Sequence, residues 1–148
     1  HEWIVTWLVT NLTVWAHPRG AGVAFASGYK VRIRADRGVM PDVQFYRGGL
    51  GPLPKEGLDR GVPDLAVEVV SPSSRRWDRE VKLEWYASIR TPEYWIVDPT
   101  TRTLDRYVLG SRGALELADH LEGDVRFAPD TLPGLEIELV QLWPRQRG

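Results

Sequence analysis

One glutamate interrupts an apolar run that otherwise favours a buried β-strand. The run is DLAVEVV, residues 64–70, and its interior charge is Glu68. A carboxylate inside a buried strand is costly unless it is ion-paired, protonated or bound to a metal. Glu68 is therefore either half of a structural ion pair with one of the arginines or part of a functional site.

A second carboxylate is needed if Glu68 binds a metal. Pro-Asp pairs occur at Asp42 and Asp64, and by themselves such pairs most often mark turns. Asp64 lies on the same predicted strand as Glu68, but four residues of strand separate the two by roughly 13 Å. Asp42 begins a different predicted strand, so we predict Asp42 as the partner of Glu68.

Lysine is scarce, which draws attention to Lys82. The chain has three lysines, and Lys82 shares a predicted helix with Asp78 and Tyr86 at spacings of four and eight residues. This polar stripe is either a solvated face or a face turned towards the preceding strand. Two carboxylates and a lysine in one cleft suit metal-assisted hydrolysis of a phosphodiester, in which the lysine orients water or stabilises developing charge.

Hydrophobic periodicity predicts two helices. Apolar residues at helical spacing in the first segment predict an amphipathic helix too short to span a bilayer. A second helix is predicted from Arg75 to Ile89, after the capping hydroxyls of Ser71–Ser74. The predicted buried residues are Ile4, Leu8, Leu12 and Trp15 in the first helix, and Val81, Trp85 and Ile89 in the second.

Alternation and short apolar runs predict the strands between and after these helices. A loop rich in Gly and Pro is expected over residues 47–63. The strands are predicted at 23–26, 29–34, 42–46, 64–70 and 94–98, followed by strand-rich segments at 104–109, 114–118 and 135–140. The unit from 64 to 98 is strand–helix–strand.

Residues 63–99, PDLAVEVVSPSSRRWDREVKLEWYASIRTPEYWIVDP, closely resemble the Uma family of restriction endonucleases, in the PD-(D/E)XK nuclease superfamily. The motifs that carry the resemblance span about residues 41–107: Pro-Asp, the strand Glu, Ser-Pro-Ser, the helix Asp/Lys/Tyr and Glu-Tyr-Trp. The resemblance implies an α/β core of the restriction-endonuclease-like, α+β type, with a central mixed sheet flanked by helices. It further implies a DNA endonuclease that uses Mg²⁺ or Mn²⁺.

The resemblance also assigns roles to individual residues. Asp42 and Glu68 match the metal-binding acids, and Lys82 takes the place of the motif lysine because Val70 stands at the usual position. The first-helix residues His1 and Glu2 resemble a position near the metal in some relatives. The other site residues are predicted from their positions. Asp78 is expected to support Lys82, Tyr86 either hydrogen-bonds within the site or packs, and Ser71 either contacts the site or serves only the helix entry. Arg75, Arg76 and Arg79 either hold a nucleic-acid backbone or form a solvated helix terminus.

Composition limits the alternatives. The 148 residues suit a single domain, 1–148, expected to lack its native N-terminal segment. The absence of cysteine excludes thiolate zinc sites and permits a cytoplasmic location. A net charge of −1 argues against a strongly basic nucleic-acid coat, so a catalytically inactive nuclease-fold module that binds nucleic acid or protein stays open.

Three smaller expectations complete the sequence analysis. His17 and His120 are expected in turns and form no metal-ligand spacing. No membrane association is expected. The resemblance makes a homodimer a candidate assembly, since related nucleases pair to cut both strands.

Overall fold

The chain was examined as a computed structural model that describes residues 1–27, 29–48 and 61–145. The predicted loop at 47–63 lies largely outside the described residues. The N-terminal helix α1 spans Glu2–Ala16, and all four residues predicted for its buried face are buried. Helical spacing of large apolar side chains therefore outweighs the many β-branched residues of this segment.

The described residues form ten strands, numbered in chain order. They are β1 (Gly22–Ala26), β2 (Val31–Arg34), β3 (Arg37–Val39), β4 (Val43–Arg47), β5 (Leu65–Val69), β6 (Glu93–Asp98), β7 (Thr103–Leu109), β8 (Leu115–Glu122), β9 (Arg126–Phe127) and β10 (Ile137–Glu138).

Six of the described strands build one mixed sheet in the order β1-β4-β5-β6-β7-β8. β5 and β6 are parallel, as the strand–helix–strand unit requires, and the other neighbours are antiparallel. β2 pairs with β3, and β9 with β10, outside this sheet. The mixed sheet flanked by helices confirms the predicted core.

The second helical segment links β5 to β6. Residues 75–76 are helical, a π-helical turn follows at Trp77–Val81, and helix α2 spans Lys82–Ser88. The predicted bounds are thus correct to within one residue, and Trp85 and Ile89 of the predicted apolar stripe pack against the core on the α2 side of the sheet. Val81, Trp85 and Ile89 are only partly buried, whereas Tyr86 on the polar stripe is fully buried.

The sheet separates two apolar clusters. The larger one lies against α1 and includes Val67 and Trp95, while the smaller one lies against α2 and includes Ala66 and Ile96. Alternation along β5 therefore sends successive side chains to opposite faces. Glu68 follows Val67 and so points to the α2 face.

The predicted strand at 135–140 is correct only at Ile137–Glu138. The next residues, Leu139–Leu142, form a 3₁₀ turn in which Leu139 and Leu142 are both buried. In a 3₁₀ turn, side chains three residues apart share a side, so this turn buries both leucines. The described helices include none with the length and apolar character that a membrane crossing needs.

Candidate active site

Glu68 lies on the central strand β5 with its side chain only 4% exposed, and two groups from the α2 side contact its carboxylate. The Tyr86 hydroxyl donates a hydrogen bond of 2.9 Å to Oε1. The Lys82 ammonium Nζ lies 3.2 Å from Oε2. The structure thus brings together three of the residues that the sequence analysis selected, from a strand and from the helix that follows it.

Asp42 lies beside Glu68 because of the register between β4 and β5. Val43 is opposite Val67 in this antiparallel pair, so the residue before Val43 falls opposite Glu68. Asp42 Oδ2 accepts a 2.8 Å hydrogen bond from the backbone N–H of Val69. The predicted meeting of the two carboxylates is therefore present.

Asp64 is held away from this pair. Asp64 lies just before β5 begins, and its Oδ2 accepts a 2.7 Å hydrogen bond from the backbone N–H of Arg47. Glu68 lies near the other end of the same strand. The separation expected from the strand rise places Asp64 outside the site.

The helix residues predicted as a polar stripe face the sheet. Asp78 is 2% exposed, and its Oδ1 lies 3.0 Å from Lys82 Nζ, so the lysine bridges Asp78 and Glu68. The hydroxyl of Tyr94 on β6 donates to the backbone carbonyl of Asp78 at 2.9 Å. These contacts explain why the stripe turns inward: its charges are paired against the sheet, and an unpaired buried charge would be costly.

Burial dominates the electrostatics of the two carboxylates. Burial, opposed mainly by Lys82, raises the pKa of Glu68 to about 8. Burial also raises the pKa of Asp42, although the Val69 amide and Lys82 oppose the shift. For Lys82, burial alone would lower the pKa, but Glu68 and Asp78 raise it above the ordinary value, so the lysine stays charged at neutral pH.

The donor set fits a hard divalent cation. Asp42 and Glu68 offer carboxylate oxygens from adjacent strands, and each has one oxygen held in place by a Val69 or Tyr86 donor. Within the described residues there is no group of three or more His, Cys, Asp or Glu side chains arranged to hold a metal. Mg²⁺ suits a pair of carboxylates, because it is commonly bound by one or two of them and completes its shell with water and substrate phosphate.

The N-terminal residue approaches the same site. His1 Nε2 lies 3.3 Å from Asp42 Oδ1, and His1 Nδ1 lies 2.9 Å from Glu2 Oε1. The proximity of His1 and Glu2 had been indicated only by the family resemblance. Neither composition nor spacing pointed to it, since α1 is distant in sequence from both carboxylate strands.

Ser71 lies in the turn that begins the helix. Its hydroxyl is 3.0 Å from that of Ser73 and 3.2 Å from that of Ser74. Its backbone N–H donates to Ser74 Oγ at 3.0 Å. These bonds stay within the serine turn, and no side chain caps the helical segment that follows, so the predicted capping hydrogen bond is absent from the described residues. A contact of Ser71 with the site stays a prediction.

The three arginines after this turn all form ion pairs within the chain. Two of the partners, Asp98 and Asp105, are buried, so those pairs help to hold the helix onto the sheet. The pairs are Arg75–Asp98 at 2.7 Å, Arg76–Glu80 at 3.1 Å and Arg79–Asp105. Nucleic-acid contact by these arginines stays a prediction, for which the largely exposed Arg76 is the most accessible.

The other two histidines are divided between a turn and a strand. His17 lies in a 3₁₀ turn, as expected, but His120 lies on β8, so its predicted turn is wrong. The His120 ring contacts Asp105 through Nδ1 and Glu122 through Nε2, at 2.8 Å for the latter. Strand pairing with β7 accounts for this placement, because Asp105 is directly opposite His120.

Comparison with known proteins agrees with the fold. A crystal structure titled "putative nuclease belonging to DUF820", from Anabaena variabilis, superposes with a TM-score of 0.75 at 18% identity, covering 97% of this chain and 79% of that one. No curated protein matches the sequence. The model of the Uma2 family, described as "Putative restriction endonuclease", matches residues 1–140. This chain belongs to the Uma2 family.

Proposed function

We propose that this protein is a metal-dependent DNA endonuclease whose catalytic residues are Asp42, Glu68 and Lys82. The observation that carries the proposal is the meeting of two carboxylates on adjacent strands with a lysine 3.2 Å from one of them. The family match and the nuclease-like fold support the same class of chemistry.

Asp42 and Glu68 would hold Mg²⁺ or Mn²⁺. The bound ion would polarise the scissile phosphate and make a water molecule more acidic. The Val69 N–H fixes the Asp42 carboxylate, and the Tyr86 hydroxyl fixes that of Glu68. Hydrogen bonds of this kind orient metal-binding groups and tune their affinity.

Lys82 supplies the positive charge that the departure at Val70 removes from the strand. Its ammonium is held between Glu68 and Asp78, at 3.2 and 3.0 Å. A lysine in this place can orient the attacking water or stabilise the negative charge that develops on the phosphate. The site needs an ammonium at a point in space, and the helix provides it from another position in the sequence.

The test is a cleavage assay on supercoiled, linear and single-stranded DNA with Mg²⁺ and with Mn²⁺. Glu68→Gln and Lys82→Gln are expected to lose cleavage while keeping the fold. Glu80→Gln is the matched control, because Glu80 is an exposed carboxylate in the same helical segment. Cleavage by Glu68→Gln at the wild-type rate would overturn the assignment.

The same assay distinguishes an endonuclease from the non-catalytic alternative. A wild-type protein that binds DNA but cuts no form of it with either metal would instead be a nuclease-fold binding module. The homodimer implied by the resemblance is a separate prediction, and light scattering of the protein with and without DNA tests it.

A further inference from the structure

A groove at one end of the sheet lies outside the site described above. Its volume is about 840 Å³, which is within the range of pockets that bind small organic ligands. The groove is lined by Trp3, Pro99, Thr100, Arg102, Val140, Gln141, Trp143, Pro144 and Arg145. We call it the Trp3 groove.

Trp3 is an exposed aromatic side chain held in a fixed position. The residue is 57% exposed, whereas Ile4, Leu8 and Leu12 of the same helix are buried. Its indole N–H donates a 3.0 Å hydrogen bond to the backbone carbonyl of Gln141. The bond fixes the ring through its edge and leaves the aromatic surface for stacking.

Trp143 and two arginines complete the groove. Trp143 is buried, and its indole N–H donates to the carbonyl of Gly123 at 2.8 Å, so it forms a rigid wall. Arg102 and Arg145 bring positive charge. Arg102 pairs with Asp124 at 2.9 Å, but both side chains are more than half exposed, so this pair is weak enough for a phosphate to compete.

The Trp3 groove lies at the same end of the sheet as the candidate active site. Strands β5 and β6 are parallel, with Glu68 opposite Ile96, so the turn from Pro99 to Arg102 after β6 follows the edge where Glu68 lies. The second connection is α1, whose start carries both His1 and Trp3. His1 contacts Asp42, and side chains two residues apart on a helix point to different sides, so Trp3 faces the groove and not the carboxylates.

A second, smaller cavity lies at the other end of the strands. It has a volume of about 230 Å³ and is lined by residues that include Asp64 and Glu93. These residues lie at the starts of β5 and β6, at the opposite end of the strands from Glu68. The Trp3 groove, by contrast, lies at the end of the strands where Glu68 lies, on the face of the sheet that packs against α1.

We infer that the Trp3 groove binds an unpaired nucleotide of the nucleic-acid substrate, with the base stacked on Trp3 and the backbone held by Arg102 and Arg145. The inference rests on the proposed function and deepens it, because it makes single-stranded or locally unpaired nucleic acid the substrate class. A rigid aromatic surface beside arginines is the combination that binds single strands without reading their sequence. Exposed aromatic and cationic groups recognise bases and phosphates at the same time.

The experiment is fluorescence anisotropy with a short labelled single-stranded oligonucleotide and its duplex, in EDTA so that nothing is cut. Trp3→Ala is expected to weaken binding of the single strand by about 10-fold, whereas Trp3→Phe retains most of the affinity. Trp77→Ala is the matched control, because Trp77 is a comparably exposed tryptophan on the π-helical turn. Arg102→Gln is expected to weaken binding and its salt dependence, and Arg34→Gln, at another exposed ion pair, is its control.

The possible outcomes test the inference and the proposed function independently. Wild-type affinity in Trp3→Ala, or an equal loss in Trp77→Ala, overturns the inference, and DNA cleavage by the wild type would still support the proposed function. Loss of single-strand binding in Trp3→Ala but not in Trp3→Phe supports the inference. This support for the inference holds even if the wild type cuts no DNA, which is the result that would overturn the proposed function. Tighter binding of the duplex than of the single strand by the wild type also overturns the inference.

Discussion

Lys82 and Glu68 form an ion pair of 3.2 Å that joins the helix to the strand preceding it. The same ammonium lies 3.0 Å from Asp78, so one lysine neutralises charge on two nearly buried carboxylates. Such a bridge favours the charged form of the buried carboxylates, since burial raises the pKa of Glu68 to about 8 and Lys82 opposes that shift. Its position beside Asp42 is what gives it a catalytic interpretation.

Two replacements of Lys82 distinguish the effect of its charge on cleavage from the effect of its shape. Lys82→Gln should lower the cleavage rate by about 100- to 1,000-fold at saturating Mg²⁺, because a preorganised charge beside the phosphate is lost. Lys82→Arg should retain part of the activity, since the charge remains but the guanidinium has a different shape. The measurement is single-turnover cleavage, with circular dichroism to confirm folding.

Lys30→Gln is the control for this series, because Lys30 is an exposed lysine away from the two carboxylates. Its cleavage rate is expected to match that of the wild type. A Lys82→Gln variant that cuts as fast as Lys30→Gln would show that Lys82 serves the fold alone.

Tyr86→Phe tests the hydrogen bond that orients Glu68. Removing the hydroxyl leaves Glu68 Oε1 without its 2.9 Å donor while keeping the buried ring. We expect the Mg²⁺ concentration for half-maximal cleavage to rise by about 10-fold. Stability should fall by about 1 kcal/mol.

Tyr94→Phe is the matched control for Tyr86. Tyr94 is equally buried, and its hydroxyl donates to the backbone carbonyl of Asp78, not to a carboxylate of the site. A similar loss of stability, about 1 kcal/mol, is expected with little change in Mg²⁺ dependence. Equal Mg²⁺ dependence in both variants would contradict an orienting role for Tyr86.

Mg²⁺ should stabilise the folded protein through Asp42 and Glu68. At ten times its dissociation constant, a ligand that binds only the folded state adds about 1.4 kcal/mol, which raises the melting temperature by about 3–6 °C for a domain of this size. Differential scanning fluorimetry measures the shift, and EDTA should reverse it. Glu68→Gln and Asp42→Asn are expected to show little shift, whereas Glu80→Gln should respond like the wild type; an equal shift in all four proteins would place Mg²⁺ elsewhere.

Sequence reasoning predicted the carboxylate pair because strand pairing is regular. Once Asp42 and Glu68 were assigned to neighbouring strands, an antiparallel register was enough to bring them together. The bounds of both helices were likewise accessible from apolar spacing, although no side chain caps the start of either described helical segment. These features depend on local pattern, which the sequence carries directly.

The depth of burial along the second helix was not accessible in the same way. Hydrophobic periodicity assigns apolar residues to the core, and so predicted a buried Trp85. In the structure, Trp85 packs against the core only in part, and it makes an edge-to-face contact with Trp77 at 5.4 Å, while Tyr86 is fully buried. Lys82 and Tyr86 contact Glu68 on the sheet, and a periodicity argument contains no term for such long-range contacts.

The Arg75–Asp98 pair gives the protein a predicted dependence on pH. Burial alone would raise the pKa of Asp98, but the Arg75 guanidinium at 2.7 Å and the backbone N–H groups of Thr100 and Thr101 lower it below its usual value. Because the pKa is lower in the folded chain than in the unfolded chain, the charged form of Asp98 stabilises the fold. The contribution is complete above the unfolded pKa, about 4, and is lost as the pH falls through the lowered folded value.

Asp98→Asn tests this dependence by urea unfolding over a range of pH. At about pH 6 the variant should be less stable than the wild type by about 2 kcal/mol, the value of a hydrogen bond to a charged group. The difference should narrow below about pH 4, as Asp98 in the wild type takes up a proton. Asp36→Asn, at an exposed pair with Arg34, should change stability by less than about 1 kcal/mol at any pH. A deficit in Asp98→Asn that stays constant down to acid pH would show that Asp98 acts through its hydrogen-bonding shape and not through its charge.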